Sequence, residues 1–329
     1  MIWRKSIVAG SGLKFPTAKT DNRRNRRNKR TQVISCIFTP DDAVKKAGHR
    51  MDDSLRLFVQ RIRKIPTLPV IAQEVLNLTA NDSVSIAKLE DVIGLDPPIA
   101  SRILSVSNSV FFGTQVPNTT ISNAIVRIGF DNVRHIAFGV ALLTMFGDPA
   151  SRNPLETKRI IKHSLSVGII GKMLAQHLGT GDRDEVFVCG MLHDLGILVM
   201  NSCFGSLYSK VVAEIRHEKS LLAAERKVLG FTHPEIGMWL ADKWNLPRHV
   251  SESIRFHHEP MSSNNRQIAL IHLADYISCK KSFEPVEKAN PECLDHSVFD
   301  MLEATRADMT EIESLLDGNI FSEGLSVYE

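Results

Sequence analysis

The sequence predicts an all-α fold. Three observations carry that expectation: apolar residues recur at helical offsets from residue 51 onward, no run of segments alternates as strands would, and no 20–50-residue repeat is present. Leu55, Phe58, Val59 and Ile62 share a helical face before Pro66 closes the segment. Residues 68–78 follow, with Leu68, Ile71, Val75 and Leu78 at helical offsets and Pro69 in the first turn. A helix over 86–94 leads to Asp96, which can cap a helix opened by Pro97 that sets Ile99, Ile103, Val106 and Val110 on one face. Residues 121–145 are again helical in pattern, interrupted near Gly129.

The stretch GDPASRNP, residues 147–154, is rich in turn formers and is the best internal boundary. After it the pattern predicts helices near 156–178, 184–200, 205–218, 220–230, 233–244, 247–258 and 266–281. Beyond about residue 285 it weakens to a polar segment and one last helix near 298–317. Hydrophobic content of 43% and charged content of 23% are ordinary for a globular chain. No apolar stretch is read as approaching the roughly 18–20 residues needed to cross a bilayer, and the opening segment lacks the features of a signal peptide. The five cysteines, Cys36, Cys189, Cys203, Cys279 and Cys293, are odd in number and form no CxxC. They favour reduced thiols in a cytoplasmic protein over a disulfide framework.

Charge is divided unevenly. Residues 1–50 carry 13 Lys/Arg against 3 Asp, whereas the remainder carries 27 Lys/Arg against 34 Asp/Glu. The run DNRRNRRNKR, residues 21–30, has no apolar periodicity and is expected to be disordered. It is either an electrostatic arm for nucleic acid or an anionic surface, or a solvated tail; translation beginning at Met51 is a further alternative. No aromatics interleave with the arginines, so nucleic acid is the disfavoured partner.

Five of the later helices carry imidazoles or carboxylates on their apolar faces. His163 falls with Ile160, Val167, Ile170 and Leu174; His193 falls with Val186, Cys189 and Ile197, and Asp194 lies one step around. His233 shares a face with Ile236, Leu240 and Trp244, His257 and His258 follow Val250 and Ile254, and Asp275 follows Ile268 and Ile271. One inward histidine is commonly a hydrogen-bonded core residue. Seven inward polar groups on five helices satisfy one another poorly unless a cation joins them. His and Asp suit Fe, Mn, Zn or Ni. His49, His135, His177, His217, His249, His272 and His296 lie on polar faces or in weakly patterned segments and are expected to be surface or incidental residues.

The set His163, His193-Asp194 in LHDLG, His233 in THPEIG, His257-His258 in HHE and Asp275 in LADYI resembles the HD superfamily of metal-dependent phosphohydrolases. The stretches KIPTLPVIAQEVLNL, DPPIASRILSVSNSVFFG and ISNAIVRIGFDNVRHIAFG narrow the likeness to the HDOD domain, the HD-related output domain of bacterial signalling proteins, over roughly residues 58–281. Together with the charge and periodicity, which set apart a basic tail (1–50) and a C-terminal polar segment with one helix (285–329), the resemblance implies an N-terminal helical subdomain (51–147) packed on an HD-like subdomain (148–284). It also implies a divalent, binuclear metal site: His163, His193, Asp194 and Asp275 would hold one ion, and Asp194, His233, His257 and His258 the other.

The chain departs from the catalytic HD-GYP relatives in three places. Ile197 stands where HDxGK has lysine, the GYP stretch is missing from HHEPMSSNN, and a glutamate ligand of some relatives would fall at Arg159. The leading expectation is therefore a regulatory output module that acts through contacts with other signalling proteins and keeps a His/Asp metal site. The alternative is a metal-dependent phosphodiesterase or phosphohydrolase acting on a cyclic dinucleotide or nucleotide, with Asp194 the best candidate for the catalytic group. Nucleic-acid binding through the tail is a further alternative.

Overall fold

The computed structural model describes residues 53–61, 67–79, 86–108, 117–146, 154–218, 220–281, 283, 285–286 and 294–316. The basic tail and the boundary segment at 147–153 lie outside them. Among the described residues there are fifteen α-helices, one 3-10 turn and no strand, as the apolar periodicity predicts. The first six helices are α1 (Asp53–Arg61), α2 (Val70–Thr79), α3 (Ile86–Gly94), α4 (Pro97–Ser107), α5 (Ile121–Ile128) and α6 (Phe130–Phe146). Asp96 caps α4 by accepting from the Ile99 amide at 3.2 Å, ahead of Pro97 and Pro98. Gly129, at φ +89°, separates α5 from α6.

The helices that follow are α7 (Pro154–His177), α8 (Arg183–Leu192), α9 (Leu195–Glu218), α10 (Leu221–Leu229), α11 (His233–Lys243), α12 (Arg248–Phe256) and α13 (Arg266–Lys280). Two short ones, α14 (Ser297–Leu302) and α15 (Arg306–Leu316), close the described chain. α7 packs along α8 and α13, α9 lies against α10 and α11, and α6 bears on α7. One continuous apolar core runs through all of them. It is reinforced where α6 meets α7 and α8, by Lys172 reaching Asp131 (2.6 Å) and Asp184 (2.9 Å) and by buried Arg134 reaching Asp184 (2.8 Å). Burial alone would raise the Asp184 carboxyl, but Lys172 and Arg134 outweigh it and hold it below its ordinary value.

The structure corrects several expectations. The helix expected over 184–200 is two, broken at His193–Asp194, and α9 then runs on to 218 through a kink at Phe204. Both sides of the break are buried all round, so the apolar period carries no mark of it. The last predicted helix is also two, divided at Glu303 (φ +56°). Residues 183–218 do contain a window of mean hydropathy 1.6, long and apolar enough by composition alone to cross a bilayer. That window is 89% buried inside the protein and is core. Finally, His135 is no surface residue: it is buried and stacked on Phe187 with ring centroids 3.5 Å apart.

Two backbone crossings fix the spacing of these helices. A Cβ on Gly190 of α8 would lie 2.6 Å from Cα of Gly168 on α7, closer than real Cβ atoms come. A Cβ on Gly196 of α9 would run into the carbonyl of His233, at the start of α11. Gly190→Ala is therefore expected to cost about 1–3 kcal/mol, the usual penalty of overpacking, read as a lower urea midpoint. Gly94→Ala meets nothing within 4 Å and should leave the midpoint unchanged or slightly raised.

Candidate metal centre

Three helix boundaries and two helix interiors deliver the site. His193 follows the last residue of α8, and Asp194 sits in the turn before α9, where its carbonyl accepts the Ile197 amide at 2.9 Å. His233 opens α11 after a capping box in which the Glu235 carboxylate accepts from the Thr232 amide (2.8 Å) and hydroxyl (3.2 Å). His257 and His258 form the turn that ends α12. His163 and Asp275 come from the middles of α7 and α13, which pack side by side.

All seven residues converge, in two groups. His163, His193 and Asp275 have potential ligand atoms within 4.8 Å of one another, and so do Asp194, His233, His257 and His258. Asp194 faces both groups with different oxygens. Its Oδ2 is 3.4 Å from His163 Nε2 and 3.3 Å from His193 Nε2, while Oδ1 is 3.3 Å from His233 Nε2 and 3.7 Å from His257 Nε2. Asp275 Oδ1 lies 3.2 Å from His163 Nε2.

The outward nitrogens settle which way the imidazoles face. Nδ1–H of His193 donates to the Gly190 carbonyl (2.7 Å), that of His257 to Ile254 (2.8 Å) and that of His163 to Phe283 (2.5 Å). His233 Nδ1–H donates to the Glu225 carboxylate at 2.9 Å. With Nδ1 engaged outward, each ring turns its Nε2 inward, where the neutral form offers a lone pair. His163 and His193 meet Nε2 to Nε2 at 3.2 Å, and His233 and His257 at 3.3 Å. Lone pairs facing each other and a carboxylate at such distances repel unless positive charge lies between them. The donor set of five imidazoles and two carboxylates suits a divalent metal.

The electrostatics agree. Burial alone would raise the Asp194 carboxyl, but His193, His233 and His163 outweigh it and hold it well below the usual range. Asp275 is likewise lowered against its burial, chiefly by His163. Burial, reinforced by the neighbouring imidazoles, drives His257 well down and His258 to about 3. His193 moves the other way: burial would lower it, but Asp194 and Asp275 raise it.

Several supporting residues escaped the sequence reading. Glu225 is fully buried; its signal was its place on the apolar face of α10, between Leu221 and Val228. His272, expected at the surface, is buried, donating Nδ1–H to the His257 carbonyl (2.7 Å) and accepting the Asp295 amide (3.0 Å). Ser278 bridges Ser166 and His163. Ile197 is fully buried in the core, and Arg159 is exposed.

The HDOD domain model matches residues 65–260, more than half of the chain. The chain belongs to the HDOD family. Among solved structures, an HDOD domain protein of Geobacter sulfurreducens superposes with a TM-score of 0.70 at 24% identity, over 84% of this chain and 96% of that one. A candidate signal-transduction protein of Marinobacter aquaeolei VT8 gives 0.66 at 22% identity, over 88% and 64%. A candidate phosphohydrolase of Shewanella amazonensis SB2B gives 0.61 at 22% identity, over 82% and 96%. These likenesses establish the HDOD fold. A Treponema pallidum (strain Nichols) protein described as uncharacterized is 29% identical over 203 residues, which is 60% of this chain and only 38% of that relative.

Acid should weaken the metal-free HDOD chain. Because His135, His257 and His258 sit below the ordinary value near 6.5 when folded, the unfolded chain binds more protons as pH drops below about 6.5. Stability therefore falls there, and falls again as pH passes below the ordinary carboxylate range toward the lowered values of Asp194 and Asp275. His193, being raised, contributes below about 6.5 and loses that contribution as pH climbs through its folded value, an opposing effect of one group against three. Urea midpoints of chelated protein should drop between pH 7 and pH 5.

Proposed function

We propose that this HDOD chain is a regulatory output module that acts through contacts with other signalling proteins and holds a divalent metal pair at its centre. The supporting observation is the arrangement of Asp194, whose two oxygens each face a separate pair of inward-turned imidazoles. His163, His193, Asp194 and Asp275 would hold one ion, and Asp194, His233, His257 and His258 the other. Iron, manganese, zinc and nickel all suit this set.

The balance tips to regulation on three features. Ile197, in the place of the lysine of catalytic relatives, is packed in the core and cannot reach a substrate phosphate. Arg159, in the place of an additional acidic ligand, points to solvent. The centre itself is nearly closed, with Asp275, at 12% side-chain exposure, among its more open members.

A second reading, a metal-dependent phosphohydrolase, is favoured by the same sharing of Asp194 between two groups, a geometry that could place two ions on one phosphodiester. A bound pair would supply Lewis acidity toward a phosphoryl oxygen. The chain's own residues would orient the ligands, and Asp194 would be the central group.

Purified protein supplied with manganese or iron should take up metal, and Asp194→Ala should lose that uptake while keeping its helical circular dichroism. Neither form should hydrolyse bis(p-nitrophenyl) phosphate or cyclic dinucleotides. Metal-dependent turnover abolished by Asp194→Ala would replace the regulatory reading with the enzymatic one.

A further inference from the structure

The two halves of the centre differ in their private charge. The half built on His163 and His193 has Asp275 as a carboxylate of its own, whereas the half built on His233, His257 and His258 has only the shared Asp194. Directly behind this second half lies Glu225, with no exposed surface. One oxygen, Oε2, accepts both the His233 backbone N–H (2.8 Å) and its ring Nδ1–H (2.9 Å). The other oxygen, Oε1, is buried and has no hydrogen-bond partner among the described residues. The supporting acceptors of His163, His193 and His257 are neutral backbone carbonyls.

A carboxylate stripped of water, with one oxygen unsatisfied, is costly to keep. An apolar residue on this face of α10 would pack without that cost. Toward the inward-facing imidazoles, Glu225 acts by its direct hydrogen bond to the ring of His233.

We propose that Glu225 is the positioning residue of the second half-site and supplies, through His233, the negative charge that Asp275 gives the first half directly. It locks the Nδ1–H tautomer so that Nε2 faces Asp194, and it makes that nitrogen a stronger donor to a divalent cation. Each half then has one carboxylate of its own and a share of Asp194. This inference rests on the metal reading above and goes beyond it in stating that loss of Glu225 weakens one ion and spares the other.

Cobalt(II) alone is the probe, titrated into chelated full-length wild type and Glu225→Gln, with ions per chain counted at buffered free cobalt. The Gln side chain has nearly the same shape and lacks the charge. Wild type should bind two ions, and Glu225→Gln should bind the first with unchanged affinity and the second about 10–100-fold more weakly. Equal affinities in the two proteins, or loss of both ions together in the variant, would overturn the inference and leave the metal reading standing. Wild type that binds no cobalt overturns the metal reading and this inference with it; wild type that binds a single ion overturns the two-half assignment on which the inference depends. Imidazole nitrogen NMR of metal-free wild type is independent of whether the variant folds. A proton on His233 Nδ1 supports the assignment, and a proton on Nε2 refutes it.

Discussion

A buried carboxylate organises the second half of this protein. Asp194 is almost sealed from solvent, and a carboxylate there is tolerable only while positive or protic groups surround it. Imidazoles from α7, the end of α8, α11 and the end of α12 meet that requirement, two on each oxygen. Each of those rings needs an outward acceptor in turn, and the carbonyls of Gly190, Ile254 and Phe283 and the carboxylate of Glu225 provide one apiece. The polar centre is thus built in two layers, and the outer layer decides the direction in which the inner one presents its lone pairs.

The N-terminal helices connect to this centre through α6. That helix is buried along nearly its whole length and meets α7 and α8 both through apolar contacts and through the Arg134, Lys172, Asp131 and Asp184 network. α7 carries His163 and α8 delivers His193, and α6 also touches α9, which begins directly after Asp194. α7 and α8 therefore border both the N-terminal helices and the polar centre.

Much of this was legible in the sequence. The seven inward residues were identified because helical period places a side chain on a known face, and burial follows from its apolar neighbours. Helix caps such as Asp96 were legible for a similarly local reason. Three kinds of feature were not. The break at His193–Asp194 lies between two stretches buried on every side, where period has nothing to report. The burial of His135 and His272 depends on which helix covers them, a tertiary fact with no local trace. Glu225 stood on an apolar face exactly as the histidines did, but a single acid in AAERKVLG resembles an ordinary surface charge until α11 is brought beside it.

The glycine crossings separate two things that usually fail together. Helix spacing at the centre is set by backbone touching backbone, at Gly168 against Gly190 and at Gly196 against the start of α11. None of the seven inward side chains takes part in those contacts. Exchange of an imidazole or a carboxylate leaves those crossings untouched, whereas a methyl group at a crossing strains the scaffold and the site together. Architecture here rests on the backbone crossings and chemistry on the side chains between them, so the two can be altered separately.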